Sequence, residues 1–69
     1  PNPVHDILKI KSAAEIKTLN LYDIYGRLLQ TKYVNCDTYE LDMRQLTEGI
    51  YFIKVTTYGR VVTGKIVKY

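Results

Sequence analysis

The chain has 69 residues, a net charge of +3, 46% hydrophobic residues and one cysteine. A chain this short buries only roughly 60% of the surface its unfolded form exposes, which leaves room for one small core and none for a multi-part catalytic cleft. The hydrophobic content excludes a disordered tail. The lone Cys36 excludes an internal disulfide and a multi-cysteine zinc site, and no apolar run approaches the roughly 20 residues of a membrane-spanning helix.

The start, Pro1-Asn2-Pro3-Val4-His5-Asp6, has neither the basic nor the apolar segment of a signal peptide and no initiating Met, which predicts a fragment of a longer chain with any export signal upstream. Beyond it, short stretches of period-2 apolar character alternate with turn residues, and no stripe at helical spacing occurs. The first strand is predicted over residues 7–11, with Leu8 and Ile10 inward and Lys9 and Lys11 toward water. A second follows over 18–23, with Leu19 and Leu21 inward.

Asp23-Ile24-Tyr25-Gly26 fits a type I turn, with Asp at its first position and a glycine that accepts the positive φ completing a hairpin. The third strand, 27–32, runs antiparallel to the second. A polar connection, Asn35-Cys36-Asp37-Thr38, then leads to a fourth over 39–43, in which Tyr39, Leu41 and Met43 alternate with Glu40 and Asp42. Residues 44–48 are predicted to form a tight turn or one 3₁₀ turn, ended by Gly49.

Residues 50–57 are almost all β-branched or aromatic and apolar on both faces, as a central strand requires. Tyr58 and Gly59 make a second hairpin turn, and 61–69 returns as the last strand, with Gly64 marking a bulge or a close backbone approach. The class that follows is all-β: a small antiparallel β-sandwich of six or seven strands, one domain over residues 1–69. No internal repeat supports a solenoid.

The charge is unevenly spread. Residues 1–48 hold six of the basic residues and all seven acids, a net −1, whereas 49–69 hold Lys54, Arg60, Lys65 and Lys68 and no acid, a net +4. Lys65 and Lys68 alternate poorly with a simple solvated face. Recognition of an acidic receptor surface and ordinary solvation therefore stand side by side as their readings, and the exposed edge of such a strand is also suited to pairing with a receptor strand. Gly26 and Gly49 are assigned to backbone geometry, and Leu21, Leu46, Tyr51 and Phe52 to the core.

Residues suited to chemistry are few. His5 has no Cys, Asp or Glu at metal spacing. Glu40 and Asp42 share a strand face at the spacing of paired carboxylates, but nothing else supplies a cleft, and a solvated face is the better assignment. Cys36 lacks a neighbouring base or helix N-terminus to activate it, and no glycine-rich phosphate loop occurs. Seven tyrosines and ten basic residues invite a single-strand nucleic-acid reading. The acids of the first 48 positions compensate the basic residues there, however, and Tyr22, Tyr39 and Tyr51 are better placed in strands and core with a polar tip. The expectation is a non-enzyme without cofactor, metal or nucleic-acid partner.

Four blocks carry a family resemblance: Pro1-Asn2-Pro3; Leu21-Tyr22-Asp23 followed by Gly26-Arg27-Leu28; Leu46-Thr47-Glu48-Gly49-Ile50-Tyr51-Phe52; and Lys65-Ile66-Val67-Lys68. In this order, from first residue to last, they resemble the C-terminal sorting domain of type IX (Por) secretion system substrates from Bacteroidetes. The resemblance implies an immunoglobulin-like sandwich at the end of a larger secreted protein, with the cargo N-terminal to it in the same chain. It further implies an outer-membrane translocon as partner and a surface sortase-like peptidase that removes the domain. The route runs through the periplasm to the cell surface or the extracellular space, where the cargo is released or joined to an anionic lipopolysaccharide.

On this resemblance Pro1, Asn2, Pro3, Asp23, Gly26, Leu46, Gly49 and Tyr51 are structural motif positions, and Lys65, Ile66, Val67 and Lys68 are the translocon-recognition residues. Two positions depart from the pattern: Glu48 stands where members often have Pro, and Gly64 interrupts the last strand. Weak self-association through edge strands is a further expectation. The alternative, from a different class, is an immunoglobulin-like accessory module that binds carbohydrate or protein; an exposed row of aromatics across one sheet face favours it, and buried tyrosines do not.

Overall fold

Alternating apolar positions and β-branched runs assemble into four strands, β1 (Ile7–Tyr22), β2 (Leu28–Asp42), β3 (Gly49–Thr57) and β4 (Val61–Lys68). They come from a computed structural model that describes residues 6–69, so Pro1, Asn2, Pro3 and His5 lie outside the described residues. The strands make one antiparallel sheet in the order β2-β1-β3-β4. The most β-prone segment, β3, is central, as its two apolar faces require.

The all-β class is therefore as expected, but six or seven separate strands do not form. The predicted strands 7–11 and 18–23 fall in the two halves of β1, and 27–32 and 39–43 in β2, except that Asp23, Arg27 and Met43 lie just outside the strand ends. The polar stretches between them stay within the strands because register pairs flank them on both sides. Pairing steps from Lys11↔Thr38 to Ile16↔Cys36 and on to Thr18↔Tyr33 through register shifts, without a break into a loop. Residues 12–15 are the surplus on β1, where Ala14 N donates to Ser12 Oγ at 3.2 Å. On β2 the compensating irregularity contains Asn35 at φ 54°, a left-handed conformation that Asn tolerates better than most residues.

These shifts bend the long hairpin. Sixteen residues of straight strand would reach roughly 50 Å, yet the longest dimension of the molecule is 31 Å. The β1 half at 7–11 pairs only with β2, whereas the half at 16–22 pairs with both β2 and β3. Leu8, Leu41 and Met43 from the outer half pack in one cluster with Leu19, Leu21, Tyr51, Ile53 and Ile66 from the four-stranded half. One core cluster thus joins both halves of the single sheet. Leu19, Leu21 and Met43 are 0% exposed and Leu41 1%, and each such burial contributes roughly 1.5–3 kcal/mol. A 69-residue chain has a net stability of only about 3–10 kcal/mol, so each of these side chains is a sizeable share of it.

Three turns fix the strand order. Gly26 N donates to Asp23 O and Asp23 N to Arg27 O, both at 3.0 Å, with Gly26 at φ 82°. Leu46 N donates to Met43 O at 3.1 Å, making residues 44–48 a tight turn, and Gly49 opens β3 at φ 153°, where a side chain is strained. Thr57 N donates to Arg60 O at 2.9 Å and closes the last hairpin. Gly64 departs from expectation: the β3–β4 register runs unbroken from Gly49↔Lys68 to Thr56↔Val61, with no bulge. A Cβ at Gly64 would meet only Ile53 Cγ2, at an ordinary 3.8 Å.

Candidate functional site

The four terminal recognition candidates lie consecutively on β4, which pairs with β3 and ends the sheet order. Period-2 alternation divides them between two faces. Ile66 and Lys68 point to the core side and are 3% and 8% exposed, while Lys65 is exposed and Val67 half-buried on the opposite face. Lys68 Nζ donates to the main-chain oxygen of Tyr69 at 2.9 Å. The two lysines therefore do not form one patch, and Lys65 is the one whose charge faces outward.

The structural motif positions among the described residues are gathered at the turns and the β3 start. Leu46 is half-buried against the core, and Tyr51, 7% exposed, donates from its hydroxyl to Thr47 O at 2.7 Å. This satisfies the polar tip of an otherwise apolar side chain. Asp23 is nearly buried and takes three donors: Tyr25 N and Arg27 N on Oδ1, each at 2.9 Å, and Arg27 Nε on Oδ2 at 2.6 Å. Burial pushes its carboxyl up, but the Arg27 N–H, the Arg27 guanidinium and the Tyr25 N–H outweigh that and hold it below its ordinary value. The sequence reading placed Asp23 at the turn and missed Arg27; the signal was a cation four residues after the turn Asp.

Of the two carboxylates on one strand face, Asp42 is occupied. Arg44 donates to it from N and Nε at 3.0 Å and from Nη2 at 2.8 Å. The Arg44 side-chain hydrogen bond, followed by its backbone N–H, lowers the Asp42 carboxyl to about 2. Among the described residues no group of three His, Cys, Asp or Glu side chains is arranged to hold a metal ion. Cys36 is exposed, with Asp37 and Thr38 at 3.8 Å from its Sγ.

The aromatics are dispersed. Tyr25 and Tyr58 sit at opposite turns, under Arg27 and Lys17 at 5.6 and 5.1 Å, and Tyr33 is exposed on β2. On the sheet face away from the core, Tyr22 and Phe52 are register partners, both half-buried, flanked by Leu28 and Lys65.

The family model for the secretion system C-terminal sorting domain matches residues 1–69. No curated protein matches the chain.

Proposed function

The chain belongs to the secretion system C-terminal sorting domain family, and from that membership we propose that it directs a cargo, N-terminal to it in the same chain, across the outer membrane of a Bacteroidetes cell through the type IX translocon. The immunoglobulin-like domain crosses the periplasm with its cargo, reaches the surface, and is cut off by a sortase-like peptidase upstream of Pro1. It has no catalytic activity of its own. Within residues 65–68 the translocon reads the outward face, that of Lys65 and Val67, and Lys65 carries the charge that is read.

The observation that supports this most is the coincidence of the family match with an acid-free terminal strand at the end of the sheet order, on which Lys65 is exposed. A basic strand end in that position is suited to steering toward an acidic receptor surface. Charge reversal at Lys65 tests it. Lys65→Glu leaves Ile66 and the core untouched, so the domain folds while export of the cargo falls; export at the unaltered level would contradict the role given to Lys65.

A further inference from the structure

β3 stops pairing with β1 at Ile16↔Thr57, whereas β1 continues nine residues further toward its start at Ile7. On the side β3 vacates, residues 7–11 pair with no strand among those described, because their ladder to β2 uses the other edge. The vacated space is an open groove of about 610 Å³, walled by Ile10 and Ala13 on β1 and by Val55 and Val62 on β3 and β4. Lys11 and Arg60 stand on its lining, and no acidic side chain does. Among the described residues neither forms an ion pair: the two that occur join Asp23 to Arg27 and Asp42 to Arg44.

An unpaired strand edge offers main-chain donors and acceptors, an apolar groove offers side-chain pockets, and two unmatched cations select for charge. We propose that this notch is a docking site for an extended, acidic segment of a partner protein. The segment adds to the β1 edge at residues 9–11, lays apolar side chains over Ile10, Val55 and Val62, and presents carboxylates to Lys11 and Arg60. A second copy of this chain fits poorly. Its β4 edge carries no acid, Asp42 on its β2 edge is already held by Arg44, and the two exposed acids left on β2, Asp37 and Glu40, lie three residues apart and so on opposite faces of that strand, where one β2 segment does not present both to Lys11 and Arg60. The site lies at the opposite end of β4 from Lys65–Lys68 and goes beyond the export role, so either can fail without the other.

The test is an amide NMR titration of the 69-residue chain with two probe octapeptides, one alternating valine and glutamate, the other valine and lysine. The valine–glutamate peptide is expected to shift the amides of residues 9–14 and 55–62, and the valine–lysine peptide to shift none. Lys11→Glu combined with Arg60→Glu, both at exposed positions, should keep a dispersed spectrum, lose at least tenfold in affinity for the valine–glutamate peptide and gain binding of the valine–lysine peptide. The milder pair Lys11→Gln and Arg60→Gln should weaken the first peptide without recruiting the second. Shifts centred on any other face, equal affinity for both peptides, undiminished binding by the charge-reversed chain, or groove shifts on self-dilution that report a second copy would each overturn the proposal.

Discussion

The Asp23 carboxylate spans the first hairpin turn to Arg27, accepting its backbone N–H at 2.9 Å and its guanidinium Nε at 2.6 Å. The neighbouring backbone bonds, Gly26 N to Asp23 O and Asp23 N to Arg27 O, close the same turn. One side chain thus holds two otherwise unsatisfied main-chain donors and one cation, and the junction of β1 and β2 depends on it.

Removing either partner should not be equivalent. Asp23→Ala strands the Tyr25 and Arg27 N–H groups together, whereas Arg27→Ala removes only the guanidinium and leaves both main-chain donors satisfied. Thermal unfolding followed by circular dichroism is expected to show a clearly larger loss for Asp23→Ala than for Arg27→Ala. Equal losses would mean that the ion pair, and not the turn, carries the stabilisation.

Acid should weaken the fold in a defined window. Asp23 and Asp42 both have folded pKa values below the ordinary range, Asp42 at about 2. Their contributions are complete above the unfolded value of roughly 4 and are lost as pH falls through the folded values. For Asp42 that loss runs from roughly pH 4 to 2, and it is modest because the pair with Arg44 is about half exposed to solvent. Carboxyl-carbon NMR titration should place both midpoints below those of a model peptide, and Arg44→Gln should return Asp42 toward the ordinary value. An Asp42 midpoint near 4 in the unaltered chain would contradict the pairing.

Core truncation should be costly. Leu21 is 0% exposed and faces Ile53 across the β1–β3 ladder, so Leu21→Ala is expected to cost about 2–5 kcal/mol. For a chain this small each kcal/mol lowers the midpoint by roughly 4–8 °C. Urea unfolding should show the midpoint falling steeply with the slope retained. A loss under about 1 kcal/mol would contradict the burial of Leu21 in the core.

The two glycines of the β3–β4 hairpin should separate. Gly49 sits at φ 153°, where a side chain is strained, so Gly49→Ala is expected to cost about 1–3 kcal/mol. Gly64 lies in an unbroken register with only an ordinary contact awaiting a Cβ, so Gly64→Ala should be near neutral or slightly stabilising. The same unfolding measurement checks both, and a cost at Gly64 equal to that at Gly49 would contradict the register.

Local pattern made much of this architecture legible. Leu19, Leu21, Leu41 and Met43 are inward as period-2 alternation requires, and the turn at Asp23–Gly26 follows from the conformational needs of its residues. The continuity of β1 and β2 was not legible. Ser12-Ala13-Ala14-Glu15 and Asn35-Cys36-Asp37 have the composition of connections, and only the pairing of the residues that flank them, across strands distant in sequence, keeps them within β1 and β2. At the candidate site, the spacing of Lys65 and Lys68 placed them on different faces, but nothing in it distinguished the exposed lysine from the one bonded to Tyr69. The groove at residues 10–14 was invisible for the same reason as the long strands: it exists because β3 ends before it reaches the start of β1.

The most direct measurement fuses residues 1–69, behind a signal peptide, to a fluorescent protein and follows the reporter in a Bacteroidetes host with and without a working type IX translocon. The account predicts that the reporter appears outside the cell only when the translocon works, and that Lys65→Glu reduces it while the domain remains folded. A reporter that stays in the periplasm of both strains, folded and uncleaved, would contradict the sorting role.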